Sequence, residues 1–546
     1  MGHNREAASR SVRPMRAARR TVVWSARTKR RLIARRGHLI PRQKLRCVGF
    51  VAYRPMSFLW AAPLLFVLSV GARATTNTIA NKTDNIDAFV KNSAEELRIP
   101  GIAIGVVDRD GSVHLAGFGV AGPSGQRVTA QTPFILGSLS KSFTALAIMQ
   151  LVEKGQIELD AKVCRYIPWF TLADDSSRSI TVRQLLNQTS GISVETSEKF
   201  AASSDVSDGA LERRVRELRT EHLDRAVGSD FEYSGTNYAV LGMLVQIVSG
   251  RPYEKYLQEN ILRPLKMDHS YTSETEAKTH GLAAGYLYWF FFPRATELPF
   301  NRGSLPQGYI ISTAEDMSHY LIAQLNDGRY GDAQILSASG IREMHRAAIA
   351  TWKPGTSYGM GWEVGPIAGI PAIWHEGSIF NYHSNMVLLP ENGSGFVLLE
   401  NIYSGPDENR LNQIAEGVAL SLTGQNPPTI TSNRRLELAY GILLLLFFAQ
   451  LWGGVHVVQQ LSSRRAYSRR PLTIYGRSML VLVMLLNLGW GLLVVLGIPH
   501  LFGMPLMITV ARVPDFGNVL LLCAFLAFST CILKGIVGLR EFSRPL

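Results

Sequence analysis

Two side chains three residues apart have the right types and spacing to make a nucleophile. The run Phe134-Ile135-Leu136-Gly137-Ser138-Leu139-Ser140-Lys141-Ser142-Phe143 leads into apolar residues at helical spacing, Ala145, Leu146, Met149, Leu151 and Val152, and stops at Gly155. That pattern predicts a buried helix closed by a left-handed glycine cap. Residues three apart share one helix face, so the Lys141 amine reaches the Ser138 hydroxyl. A serine at a helix N-terminus also sits among free backbone N–H groups at the positive end of the dipole, which suits a developing negative charge. Ser-x-x-Lys is the spacing of a serine that forms an acyl-enzyme. Two other uses compete for these residues. Ser138 could simply cap the helix. Gly137 with Lys141-Ser142 has the outline of a phosphate loop, but Ser140 stands where that loop needs glycine.

An acyl-enzyme also needs a proton carrier, an oxyanion hole and groups that hold the substrate. Two later stretches offer them: Phe231-Glu232-Tyr233-Ser234-Gly235-Thr236-Asn237-Tyr238-Ala239-Val240-Leu241-Gly242 and Trp374-His375-Glu376-Gly377-Ser378. In this order, the three motifs resemble the serine β-lactamase and penicillin-binding protein superfamily, in the branch of class C β-lactamases, D-Ala-D-Ala carboxypeptidases and related esterases. Supporting text includes Thr181-Val182-Arg183-Gln184-Leu185-Leu186-Asn187-Gln188-Thr189-Ser190-Gly191, Ile311-Ser312-Thr313-Ala314-Glu315-Asp316-Met317 and Tyr358-Gly359-Met360-Gly361-Trp362.

The resemblance covers about residues 85–422 and implies an α/β (α+β) fold, a β-lactamase/transpeptidase-like antiparallel sheet flanked by helices with a helical domain beside it. It implies that Ser138 is the nucleophile, Lys141 its activating partner and Tyr233 a proton relay, as phenolate or through Lys141. His375 falls where such enzymes carry a Lys or His that faces the substrate. The N–H groups of Ser138 and Ser378 would form the oxyanion hole, and Gly377 would let the substrate backbone approach closely.

Two departures bear on the substrate. Gly235 stands where the family has the Asn of Tyr-x-Asn, removing a side-chain amide, and Asn237 two residues on is a candidate replacement. Loss of a donor aimed at the reacting group can cost roughly 3 kcal/mol. His375 replaces a charged Lys and, with an unperturbed pKa of about 6.5, would be mostly neutral at pH 7. Both changes turn the expectation away from an efficient β-lactamase, toward an esterase or peptidase acting on a small molecule or peptide (cell-wall peptide, ester or β-lactam). The alternative from another class is a cell-envelope sensor, acylated slowly or only binding peptide, that signals through membrane helices.

No cofactor or metal is expected. None of the 12 histidines sits in an HExxH, and the four cysteines, Cys47, Cys164, Cys523 and Cys531, have neither metal-ligand spacing nor the pattern of a disulfide framework. Asp108-Arg109-Asp110-Gly111 starts like a calcium loop but lacks the later ligands and reads as a hairpin turn.

These groups need elements to hold them. Asp87 to Leu97 has helical periodicity, and Ile102–Val107 and Val113–Val120 flank Asp110-Gly111 as a hairpin. A short helix begins at Val182, residues 199–230 are charged and Ser-rich and read as a surface excursion, and Tyr238 to Val248 is helical up to Gly250. Ile373–His375, His383–Leu389 and Gly395–Leu399 read as strands, followed by a helix near Asn409 to Leu422. A hairpin first, helices in the middle and strands last predict a sheet assembled from both chain ends.

The chain is too long, at 546 residues, for one ordinary domain. Its formal charge of +14 suggests nucleic acid, yet residues 1–55 hold 16 Lys/Arg against the single acid Glu6, leaving 41 bases and 42 acids elsewhere. The remainder is nearly neutral, so no nucleic-acid face is expected. Residues 1–55 read as a basic leader: a transit peptide, a disordered arm, or sequence upstream of the true start. Residues 56–74, with the apolar run Ser57–Val70 and the small residues Ala72 and Ala74, read as an export signal cut after Ala74, with an uncleaved anchor as the alternative.

Residues 75–425 form the expected hydrolase domain, and 426–437, opening with Asn426-Pro427-Pro428, the linker. Within 438–546, Leu438–Val458, Met479–Ile498 and Phe516–Leu533 are apolar runs long enough to cross a bilayer. Arg464, Arg465, Arg469, Arg470 and Arg477 between the first two, and Lys534, Arg540 and Arg544 after the third, place that loop and the C-terminus in the cytoplasm. The hydrolase domain is then expected on the extracytoplasmic (periplasmic) side of a multi-pass membrane protein.

Overall fold

The structure, a computed structural model, describes residues 71–542 apart from 202–203, 298, 432, 463–472, 498–499, 501–505, 507–509 and 511–512. The basic leader, the expected signal segment up to residue 70 and the arginines at 464–470 lie outside the described residues.

Alternation of buried side chains explains the central sheet. In β1 (Gly101–Asp108), Ile102, Ile104 and Val106 enter one core while Ala103 and Val107 enter the other. β1 turns at Asp110-Gly111, with Gly111 at φ 89, into β2 (Val113–Gly119). The chain then makes the short strands β3 (Phe134–Ile135), β4 (Tyr286–Trp289), β5 (Phe292–Ala295), β6 (Ile311–Ser312), β7 (Arg329–Tyr330) and β8 (Ala333–Gln334). The sheet is completed by β9 (Ile349–Ala350), β10 (Ser357–Tyr358), β11 (Glu363–Ile367), β12 (Ile370–Ile379), β13 (Tyr382–Leu389) and β14 (Ser394–Glu400), with β15 (Ile402–Tyr403) outside it. Its order, β2-β1-β14-β13-β12-β11-β10-β9, is antiparallel throughout and seats the N-terminal hairpin beside the last long strand. Assembly from both chain ends is therefore as the sequence predicts.

A strand buried on both faces needs cover on both. On one face lie α1 (Gly71–Glu96) and, at the C-terminal end, a helix over Glu408–Leu422; Ile86, Val90, Leu411, Ile414 and Val418 pack on Ile102, Ile104, Val387, Phe396 and Leu398. α1 begins upstream of the expected helix, so the expected cleavage point at Ala74 falls in its first turn. On the other face lie α2 (Ser140–Glu153), α3 (Val182–Leu186), α4 (Ala210–Glu217), α5 (Gly235–Ser249) and α6 (Ala314–Leu325), whose Phe143, Leu186, Leu211, Leu241 and Leu321 meet Met386, Leu388, Val397 and Leu399 in a single core. The C-terminal cover, Glu408–Leu422, is α7.

α4 corrects one expectation. Residues 199–230 are not wholly a surface excursion, because Leu211, Val215 and the stem of Arg214 turn inward from a strongly amphipathic helix. Its many charges masked a stripe of only three apolar residues, Ala210, Leu211 and Val215.

Beyond residue 430 the chain forms α8 (Arg434–Ser462), α9 (Ile474–Leu492, continued by Leu493–Gly497) and α10 (Pro514–Phe542), three helices long and apolar enough to cross a membrane. They pack on one another through Leu443, Val494, Leu520, Cys523 and Ala524. Leu445, Phe448, Trp452, Leu485, Leu486, Phe525 and Ile532 face outward. A continuous apolar exterior of this kind is stable in hydrocarbon and a liability in water.

Candidate active site

The serine turn is built where β3 meets α2. Leu136 N donates to Ile310 O at 2.8 Å, and Gly137 then takes φ 55, a left-handed bend that only glycine enters without cost. An added Cβ at Gly137 would lie 2.7 Å from Ser378 N, so glycine also lets β12 come up against the turn. Ser138 stands in a tight 3₁₀ turn, Gly137–Leu139, directly ahead of α2, rather than within the α-helix itself. The pairing with Lys141 survives: Lys141 Nζ lies 2.8 Å from Ser138 Oγ and donates to Gln307 O at 2.7 Å. Lys141 is buried, and burial draws its pKa down from the usual lysine range to about 7.

Tyr233 precedes α5, and Gln188 braces it. Gln188 has φ 60; its side-chain oxygen accepts from Ser234 N (3.1 Å) and Asn237 Nδ2 (2.5 Å), and its carbonyl accepts from Glu232 N (2.9 Å). A non-glycine residue held in this conformation by three bonds stores strain next to the site. The Tyr233 hydroxyl meets Ser138, its ring centre is 5.0 Å from Lys141 Nζ, and burial raises its pKa well above the usual tyrosine value.

Together these groups line a cavity of about 190 Å³ that also takes in Gly235, Gln307, Ser378 and Phe380. β11 pairs with β12 only as far as Trp374, so among the described residues His375–Ile379 have no strand partner on that edge, which runs past the serine turn.

A profile of the Beta-lactamase family matches residues 86–420. The chain belongs to that family. Protein flp of Staphylococcus aureus (strain COL) is 29% identical over 325 residues, 58% of this chain and 63% of that protein. The chain thus spans less than two thirds of that relative's length. Penicillin-binding protein 4 of Amycolatopsis lactamdurans is 29% identical over 324 residues, 56% of this chain and 82% of its own. Among solved structures, the octameric penicillin-binding protein homologue from Pyrococcus abyssi superposes with a TM-score of 0.55 at 29% identity, covering 64% of this chain and 79% of that one. A class C beta-lactamase superposes with a TM-score of 0.54 at 21% identity over 63% and 96%, a likeness of fold.

Within this β-lactamase fold, three sequence expectations land elsewhere. His375 does not line the cavity: its Nδ1 bonds Glu376 O at 2.5 Å, which makes Nδ1 the donor and leaves Nε2 to accept from the Tyr358 hydroxyl at 3.2 Å. Burial depresses its pKa to about 3, so the ring is neutral and both nitrogens are committed. Asn237 is buried beneath the site, with its amide spent on Gln188 and Ser190, so it does not replace the missing Asn. Gly377 leaves space for the serine turn rather than for substrate: an added Cβ would lie 2.3 Å from both Leu136 O and Ser384 Oγ. Ser384 Oγ in turn donates to Leu136 O at 2.7 Å.

The sequence reading missed Gln307. An added Cβ at Gly235 would lie 2.4 Å from Gln307 Oε1, so the Gln307 amide occupies the space that an Asn side chain at 235 would fill. Gln307 is 8% exposed and lines the cavity, and among the described residues its Oε1 finds no hydrogen-bond partner. The glycine at 235 was visible; nothing in Leu305-Pro306-Gln307-Gly308 marks what fills the gap.

Proposed function

We propose that the chain is a membrane-anchored, extracytoplasmic serine hydrolase that forms an acyl-enzyme on Ser138 and cleaves an ester or amide. The observation that carries this reading is the 2.8 Å approach of Ser138 Oγ to a lysine whose pKa is lowered to about 7. A neutral amine at that distance can take the serine proton as Oγ attacks the carbonyl carbon. Tyr233, kept as a phenol by burial, acts as proton donor rather than base: it passes its proton to the departing oxygen or nitrogen and is reprotonated by the Lys141 ammonium, which returns to the neutral amine. The oxyanion forms between the N–H groups of Ser138 and Ser378. Water, deprotonated by the same lysine, then releases the acyl group.

The electrostatics favour an uncharged acceptor over a carboxylate-bearing one. Among the described residues Lys141 is the only Lys or Arg lining the cavity and is only about half charged at pH 7, and His375 is neutral and turned away. Lys353, behind β12, holds Glu363 and Glu376 at 3.2 Å each. β-Lactams and D-Ala-D-Ala peptides carry a carboxylate that would find no free cation among these groups, whereas a neutral ester needs none.

Intact-mass analysis of the full-length protein after a fluorophosphonate, and separately after a penicillin, tests the reading beside Ser138→Ala. The expected result is rapid fluorophosphonate labelling that the variant loses, with slow or no penicilloyl adduct. Equal labelling of the variant, or no labelling of the wild type, overturns it.

A further inference from the structure

β4 and β5 form a hairpin with an unusual composition: Tyr286, Tyr288, Trp289, Phe290, Phe291 and Phe292 fall within seven residues. At its tip, Phe290 and Phe291 have φ 47 and 68, where a two-residue turn ordinarily takes Asn or Gly. Docking holds this costly turn in place. Phe290 N donates to Asp515 Oδ2 at 2.7 Å, and the Tyr440 hydroxyl donates to the same oxygen at 2.8 Å. The Phe290 and Phe291 rings lie 5.8 and 4.8 Å from the Tyr440 ring, which lies 5.3 Å from Phe516.

Tyr440 is near the start of α8 and Asp515 near the start of α10, so the hairpin is fastened to one end of the apolar helix bundle. Asp515 is 1% exposed, yet Trp289 and Phe292 beside it remain 42% and 58% exposed. Large aromatic rings left open at the level where apolar helices begin match the belt that such rings form at a membrane interface.

The hairpin is also tied to the serine. β4 pairs in parallel with β15, Tyr286 with Ile402 and Leu287 with Tyr403. Tyr403 lines the Ser138 cavity and, on its other side, a crevice bounded by Phe291, Leu436 and Tyr440. Tyr403 is therefore shared by the Ser138 cavity and the crevice at the helix ends.

We propose that the hairpin Tyr286–Ala295 is a lipid-contact element, seated with Trp289 and Phe292 in the headgroup layer, that holds the Ser138 cavity at the bilayer surface. The scissile ester or amide is then carried on an amphiphile embedded in that bilayer. The apolar and uncharged walls offered by Ile379, Phe380, Tyr309 and Tyr403 suit such a substrate. The substrate half rests on the serine-hydrolase reading; the lipid-contact half does not.

The test uses the full chain in lipid nanodiscs. A phospholipid bearing a diazirine near its headgroup is photolysed and labelled peptides are found by mass spectrometry; labels on Trp289 or Phe292 are expected. Labels on α8 and α10 with none on the hairpin overturn the contact. Hydrolysis of a short water-soluble ester is then compared with the same acyl ester on a bilayer-anchored lipid, in wild type and in Trp289→Ser with Phe292→Ser. The expected result is a tenfold or larger loss on the anchored ester with the soluble ester little changed, and equal effects on both overturn the substrate half. A wild type that cleaves neither ester and resists fluorophosphonate defeats the hydrolase reading and the substrate half together, while the crosslinks still decide the contact.

Discussion

Lys141 and His375 are basic side chains buried around the same serine turn, and the same desolvation drives both toward their neutral forms, one to about 7 and the other to about 3. What separates them is the partners each receives. Lys141 keeps its amine between Ser138 Oγ and Gln307 O at the cavity wall. His375 spends one nitrogen on a backbone carbonyl and the other on Tyr358. Burial makes a base available near neutral pH only where a reacting hydroxyl shares the desolvated space. Elsewhere it makes a packing residue.

The largest test of this difference is Lys141→Met, which removes the amine and keeps an unbranched buried chain. Acylation by a fluorophosphonate or ester should fall by roughly 10²–10⁴-fold while thermal unfolding stays cooperative. In the wild type, kcat/KM should rise with pH through about 7, because the folded lysine sheds its proton there instead of near 10. A flat profile from pH 6 to 8.5 would remove Lys141 as the base.

Next comes the strand that positions the turn. Gly377→Ala puts a methyl 2.3 Å from Leu136 O and Ser384 Oγ, so the turn must shift. A displacement on the order of 1 Å can cost about 10²-fold in turnover, and stopped-flow acylation would read it. Activity unchanged by this variant would mean that the turn and strand are not rigidly coupled.

Gly235→Asn restores the residue that the resembling family carries at this position, but into space held by Gln307. It should lower kcat/KM alone, and Gln307→Ala should also lower it, by up to roughly 10²-fold if a donor aimed at the substrate is lost. The double variant should be more active than either single one, because one amide then occupies the gap. Additive losses would show that the two positions do not share a site.

The smallest effect is expected at His375→Asn, a few-fold in turnover, with the pH limb near 7 intact and a loss of stability of about 1–3 kcal/mol from the unpaired Tyr358 hydroxyl. Disappearance of that limb on pH titration of kcat/KM would transfer the base from Lys141 to His375.

Much of this molecule is local in origin and was legible in the chain. Ser138 and Lys141 are three apart, so one turn brings them together whatever surrounds it. The strands carry their pairing in alternating apolar residues, and the three helices after residue 430 carry theirs in unbroken apolar runs. α4 was hidden because charged residues flank a narrow buried stripe. The site's chemistry was decided at longer range. The lowered pKa of Lys141 needs the packing of α2 beneath Gln307, 166 residues away, and the neutral His375 needs the burial that strands and helices distant in sequence impose on it. Filling of the Gly235 gap by Gln307, and the fit of Gly377 around Leu136 O, are contacts between surfaces distant in sequence. Spacing determines what one turn can juxtapose; desolvation and cavity shape depend on every neighbour that folding brings, so only the tertiary structure could assign them.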